Sequence, residues 1–266
     1  MATFINISDI YESNNLISHI IKVIKTLIIL YAISFVCAFL YCYFKRRVIY
    51  FKYNRFVVSG TYGNILDYIG ASKVNLIVPV NSCFDTQIDD SVISANSLHG
   101  QVINFLYDND LVSQSDLDKK IKRSLKEQNI SSVNISNDVK QGGKSVGNYK
   151  RYPIGSTAFV DIGNVRYHFI ALSIIENNKN AKTSDQDYLI VLNAIVDNCF
   201  RNSNGNPIYL PLIGSGLSKL NYNHQQQLEF MVKYFMLRKT KLTSDVEIVI
   251  RKEDGDTISI LNLGER

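Results

Sequence analysis

The sequence predicts an α/β domain, a mixed and mainly parallel sheet with helices on both faces, preceded by one N-terminal transmembrane helix. Three observations carry this. An uncharged apolar run extends from Thr26 to Phe44 and stops at Lys45-Arg46-Arg47. Near-continuous apolar runs of strand length, VNLIVPV (74–80) and PIYLPLI (207–213), read as strands buried on both faces. Helical patterns alternate with such strands along the last 220 or so residues, the order of an α/β sandwich.

The apolar run, TLIILYAISFVCAFLYCYF, has the length of about 20 residues that a bilayer core requires. Ser34 is its main polar interruption, and Tyr41, Tyr43, Phe44 and Tyr50 form an aromatic belt at its C-terminal end. Residues 16–25 extend the apolar character and either prolong the helix or lie in the interface, with Lys22 and Lys25 placed to reach the far interface. The run is long and aromatic and lacks a small-residue cleavage site, unlike a signal peptide. Its uncharged length and basic stop argue against a buried helix of a soluble protein. Lys45, Arg46, Arg47, Lys52 and Arg55 follow the span, which puts the C-terminal domain in the cytoplasm by the positive-inside rule. The division is therefore 1–47 for the N-terminal segment and helix (core 26–44), and 48–266 for the cytoplasmic domain.

In that domain VIYFKYNRFVV (48–58) reads as a strand, residues 91–107 as a helix, and SQSDLDKKIKRSLKEQ as an exposed charged helix. Residues 109–150 are polar and Gly-containing, an insertion or long loop. STAFVDI (156–162) and VRYHFIALS (165–173) flank Gly163-Asn164, a two-residue hairpin signal. Residues 186–201 and 224–239 are amphipathic helices, and 245–252 and 257–263 read as closing strands.

Composition excludes several classes. The four cysteines form no paired framework, and the four histidines have no metal-ligand spacing. The net charge of +5 partly reflects the juxtamembrane cluster, so its partner is anionic lipid rather than nucleic acid. No catalytic constellation emerges.

Three loops follow strands, where α/β sheets bind ligands: Asn81 to Thr86, Leu212 to Leu217, and Ala171 to Ser173. Gly214 and Gly216 flank Ser215, a turn able to aim backbone N–H groups at a phosphate or to serve structure alone. Gly100, inside a helical pattern, signals close backbone approach to a neighbouring element or a ligand. His99 beside it is either a phosphate donor or a packed structural residue.

Gly63-Asn64-Ile65 followed by VNLIVPVNS, then YPIGSTAFVDI and PIYLPLIGSGLSKL, resembles the macro-domain family, an ADP-ribose-binding three-layer α/β/α sandwich. NSCFDTQ, SANSLHGQ and the anchor together resemble most the transmembrane macro branch of the Thoeris antiphage effector ThsA. The resemblance spans about residues 48–263. It implies an effector and not an enzyme, without a cofactor, whose ligand is an ADP-ribose derivative, histidine-linked ADP-ribose, made by a TIR-domain partner that consumes NAD. It further implies ligand-driven homo-oligomerisation, membrane disruption in the bacterial inner membrane, and growth arrest or death. On the same ground Gly214, Ser215, Gly216 and Leu217 would hold the pyrophosphate, and Asn81 and Asp85 would approach the distal ribose or its substituent. Ser97, His99 and Gly100 would line that end, and Asn64 stands where many members use an aspartate to receive the adenine amino group. The Gly-Gly-Gly loop of macro-domain hydrolases is missing, which favours a reader over a hydrolase. The alternatives are a membrane-bound ADP-ribosyl hydrolase, with Asp85 as its candidate activating group, and a passive scaffold.

Overall fold

The structure is a computed structural model that describes residues 16–44, 47–70, 72–89, 92–135, 146–174, 183–214 and 223–263. The chain divides into two compact units, residues 1–46 and 47–266.

The first unit holds helix α1 (Leu16–Phe44). Residues 16–25 continue the helix, as their apolar character anticipates. Within it, Ser18–Tyr41 is a 24-residue stretch long and apolar enough to cross a membrane. At 1.5 Å per residue it reaches about 36 Å, against a hydrocarbon core of roughly 30 Å. Its large apolar side chains are exposed: Leu27 is 60% exposed and Tyr31 74%.

The second unit is built on β1 (Arg47–Tyr53), β2 (Phe56–Tyr62), β3 (Val74–Asn81), β6 (Thr157–Ile162), β7 (Val165–Ser173), β8 (Ile208–Pro211) and β9 (Val246–Ile250). They form a seven-stranded sheet in the order β1-β2-β9-β8-β3-β7-β6. The strands from β2 to β7 in that order run parallel, while β1 and β6 pair antiparallel at the two edges. A two-residue ladder, β4 (Val133–Asn134) with β5 (Lys150–Arg151), lies apart.

Side-chain alternation feeds two cores. From β3, Leu76, Val78 and Val80 pack with α2 (Leu98–Asp108) and α3 (Gln114–Glu127), whereas Ile77 joins α4 (Asp185–Ala194) and α5 (His224–Leu237). β7 splits the same way, with Tyr167 and Phe169 on one side and Ile170 and Leu172 on the other. Burial on both faces is why these strands read as continuous apolar runs.

Local chemistry fixes the ends. Asn223 caps α5 in a reciprocal capping box with Gln226, and Ser184 does the same for α4 with Asp187. The hairpin forms at Gly163-Asn164, with Ile162 facing Val165 and Gly163 in the left-handed region at φ 58°.

Four readings are corrected. Residues 48–58 are not one strand: Asn54, at φ 54°, turns the chain so that β1 and β2 pair as a hairpin. α2 starts at Leu98, not at residue 91, because Ser97 caps it and its hydroxyl accepts from Gly100 N. α3 is half buried, since Leu117, Ile121 and Leu125 recur at four-residue spacing among the charges and enter the core; residues 136–145 of the expected insertion lie outside the described residues. Residues 257–263 form no strand; Ile258 and Ile260 enter the core and Ile260–Leu263 is a 3-10 turn.

At the β1–β2 hairpin, a Cβ on Gly60 would stand 2.0 Å from the Tyr50 hydroxyl oxygen and 2.6 Å from its Cζ. Tyr50 is buried and has no room to yield. Gly60→Ala is expected to lower unfolding free energy by about 1–3 kcal/mol. Thermal unfolding checks it; a double variant Gly60→Ala, Tyr50→Val regains part of the loss if the clash is the cause.

Candidate functional site

The parallel strands end together, so Tyr62, Asn81, Ser173, Pro211 and Ile250 lie along one edge of the sheet. The loops that follow these residues are the natural ligand-binding crevice of such a fold.

After β3, Asn81 is 6% exposed and its side-chain oxygen accepts from Cys83 N at 3.0 Å and Asp85 N at 3.5 Å. Ser82 N donates to Ser173 O at 2.8 Å, and Tyr152 N donates to Ser82 O at 2.8 Å. Phe84 takes φ 50°, a left-handed conformation that a bulky side chain adopts only under constraint. The constraint is visible: Phe84 is 2% exposed, its N donates to Asn81 O, and its ring meets Tyr152 edge-on at 5.5 Å. These contacts fix the conformation of the turn.

Asp85 is 1% exposed, and its carboxylate accepts from Asn148 N at 2.5 Å. The Asn148 amide donates to Phe84 O at 3.0 Å and to Asp118 at 3.2 Å. Asp118 also takes the Thr86 hydroxyl at 3.4 Å and an ion pair from Lys122. These groups border an open cavity of about 450 Å³ lined also by Gln114. Asn148 and Asp118 were not singled out in the sequence, and Thr86 was named only as the end of the loop after VNLIVPV. Asn148 lies in a polar stretch without periodicity, and Asp118 looks like any charge on a helix.

The other candidates divide. The Asn64 oxygen accepts from Leu66 N at 3.0 Å, capping a 3-10 turn, Ile65–Tyr68. That turn packs Tyr68 on Tyr209 with ring centroids 3.8 Å apart. Ser97 spends its hydroxyl on Ser94 O at 2.7 Å and on the helix cap. A Cβ on Gly100 would meet Ser94 O at 2.2 Å, so a neighbouring backbone accounts for the glycine. His99 is 7% exposed, and burial pushes its pKa down to about 3, leaving a neutral ring near Phe169. Gly214 is buried at φ 86°, directly beyond β8 and hence beside the β3 loop. Ser215, Gly216 and Leu217 lie outside the described residues. The topology thus brings Asn81, Asp85 and Gly214 to one stretch of the edge, with Asn64 farther along it after β2.

His168, fully buried in β7, bonds the Asn75 amide oxygen through Nε2 at 2.9 Å, and burial likewise holds its pKa near 3, about 3 as for His99. Both rings stay neutral in the fold, while their unfolded counterparts take a proton below about pH 6.5. The unfolded state then binds more protons, so stability present above pH 6.5 drains away as pH falls toward 3. Between pH 7 and pH 5 each histidine is expected to withdraw about 2 kcal/mol. Chemical denaturation at the two pH values measures it; equal stabilities would mean that the folded rings are protonated.

A family model, Thoeris protein ThsA, Macro domain, matches residues 58–251. The Thoeris protein ThsA of Bacillus amyloliquefaciens (strain Y2) is 26% identical over 194 residues, 71% of this chain and 61% of that protein. The match therefore spans less than two thirds of that relative's length. A protein from Bacteroides thetaiotaomicron solved by X-ray crystallography is 11% identical, covering 71% of this chain and 96% of its own, with a TM-score of 0.39, too low to carry an argument. The family match takes in β3, β7, β8 and β9, most of β2, and the loops after β2, β3, β7 and β8, and by it the chain belongs to the ThsA macro-domain family.

Proposed function

We propose that this protein is a membrane-anchored antiphage defence effector that binds an ADP-ribose-derived signal nucleotide and then acts on the membrane. The observation that carries the reading is the pairing, in one chain, of a ThsA macro domain with a helix apolar enough to cross a bilayer. The signal is histidine-linked ADP-ribose, made from NAD by a TIR-domain partner. The helix sits in the bacterial inner membrane as a single pass, residues 1–47 forming the anchor and 48–266 the cytoplasmic domain. The basic residues that follow the span support that orientation.

In the pocket, backbone N–H groups of Gly214, Ser215, Gly216 and Leu217 hold the pyrophosphate. Asn81 and Asp85 stand at the distal ribose, and Ser97, His99 and Gly100 form a fixed wall behind that end. Asn64 meets the adenine end. Because the Asp85 carboxylate is buried and already bonded to Asn148 N, it suits positioning better than activating a water, which supports a reader over a hydrolase.

Binding alone changes nothing; the ligand must favour the assembled state over the resting one. One helix cannot enclose a path for solutes, so ligand-driven homo-oligomerisation precedes damage to the membrane, and growth arrest or death follows.

Reconstitution in dye-loaded liposomes tests this. Leakage is expected with histidine-linked ADP-ribose, and Gly216→Glu, which adds bulk and negative charge at the phosphates, should raise the ligand concentration required at least about tenfold. Leakage by the variant equal to wild type at limiting ligand would refute the phosphate assignment. No leakage and no heat of binding with any ADP-ribose derivative would refute the effector reading.

A further inference from the structure

Outside α1, nine large apolar side chains are exposed among the described residues, and five of them, Leu189, Ile190, Phe230, Met236 and Leu237, lie on α4 and α5. The core does not need them: Val191 and Leu192 from α4 and Leu228, Met231 and Phe235 from α5 already fill it. Apolar surface gathered on two neighbouring helices marks an interaction site. At its centre Leu189 and Phe230, 44% and 43% exposed, line a groove of about 390 Å³. Asp185, Gln226, Glu229 and Lys233 form the rim of that groove. An apolar centre inside a polar rim is the anatomy of a protein–protein interface.

The two helices run parallel and in register. The Tyr188 and Phe230 rings stand 6.0 Å apart, the Tyr234 hydroxyl donates to the Asn193 oxygen at 3.1 Å, and Arg238 pairs with Asp197 at 2.9 Å. Asp197 sits in the π-helical turn that continues α4. The partners are separated by 42, 41 and 41 residues, an offset that only parallel helices keep constant. The face therefore has a direction. Asp185 and Glu229 come before Leu189 and Phe230 along it, and Lys233 comes after.

That order of acid, apolar centre and base selects the occupant. A two-fold axis in the face and across the helices reverses their direction in a second copy. Apolar centre then meets apolar centre, α5 lies on the second copy's α5, and Glu229 faces the partner subunit's Lys233, twice by symmetry. An axis along the helices would instead set the acidic groups of both copies level with each other. Within one chain Glu229 and Lys233 are 3.9 Å apart and exposed, a pair worth little, so giving it up costs little. An anionic lipid surface is a poorer match, because Asp185 and Glu229 stand on the rim.

The proposed phosphate loop, residues 214–217, leads through residues 218–222 into the Asn223 cap of α5. A ligand held there bears on the helix that supplies Phe230, Glu229 and Lys233.

We propose that the outer face of α4 and α5 is the self-association surface of this protein, a two-fold contact with a second copy of the chain in which Glu229 pairs with the partner subunit's Lys233. This rests on the effector reading above and names the surface through which the ligand would assemble chains.

The test uses the full chain in detergent, with histidine-linked ADP-ribose as the probe, light scattering for association and calorimetry for binding. Glu229→Lys sets lysine against lysine, and Lys233→Glu sets glutamate against glutamate. Each single variant should need at least about tenfold more protein to associate, with the melting temperature and binding heat of wild type. An equimolar mixture of the two variants should associate at the wild-type concentration, since every contact between unlike chains again joins opposite charges. The pair within each chain stays broken in that mixture, so rescue can come only across an interface. Wild-type association by both single variants, or a mixture no better than either alone, would overturn the face while calorimetry leaves the nucleotide reading intact. Wild type that binds the probe but stays monomeric would do the same. Liposome leakage lost in variants that still associate normally would assign the face to lipid and overturn the proposal. Wild type that neither binds nor associates would overturn the face and the effector reading together.

Discussion

Everything in the second unit depends on β3 being flanked by parallel partners. Its pairing with β7 runs from Val74 opposite Val165 to Asn81 opposite Ser173, and β8 pairs with its other side. A strand so enclosed must be apolar on both faces, and Leu76, Ile77 and Val78 are all completely buried. Parallel pairing in turn forces the chain to cross back over the sheet, so each strand end delivers a loop to the same edge. Asn81 and Gly214 are neighbours for this reason, although they are separated by more than half the domain in sequence.

Polar groups near that edge are held by one another. Asp85, Asn148, Asp118, Thr86 and Lys122 form a continuous set of hydrogen bonds and one ion pair. The set ties the loop after β3 to α3 and to the segment entering β5. Buried carboxylates are tolerable only when paired in this manner, and a network satisfied from both sides is stiffer than its separate bonds. The left-handed Phe84 at its centre is held by the same contacts.

Much of the domain was legible because burial writes a period into the chain. VNLIVPV and PIYLPLI read as buried strands, and Gly163-Asn164 as a tight turn between two β-rich runs. Errors arose where a single residue decided the outcome against the average. Asn54 converts a β-rich stretch into a hairpin, Ser97 delays a helix by a cap, and three aliphatic residues draw the charged α3 into the core. At the site, Asn81 and Asp85 were visible from their place after a strand. Asn148 was not, because a contact between residues 63 apart leaves no local pattern.

The composition of α1 bears on ion traffic. Between Thr26 and Phe44 the helix carries no charge, and bulky apolar residues occupy every side of it. A transmembrane path that selects among ions needs carbonyl, charged or hydroxyl groups facing its lumen to replace the hydration shell. In the span itself, Thr26, Tyr31, Ser34, Tyr41 and Tyr43 are the side chains that bring hydroxyl groups to such a path. In the assembly proposed above, discrimination between cations and anions would have to come from those few hydroxyls or from groups outside the span.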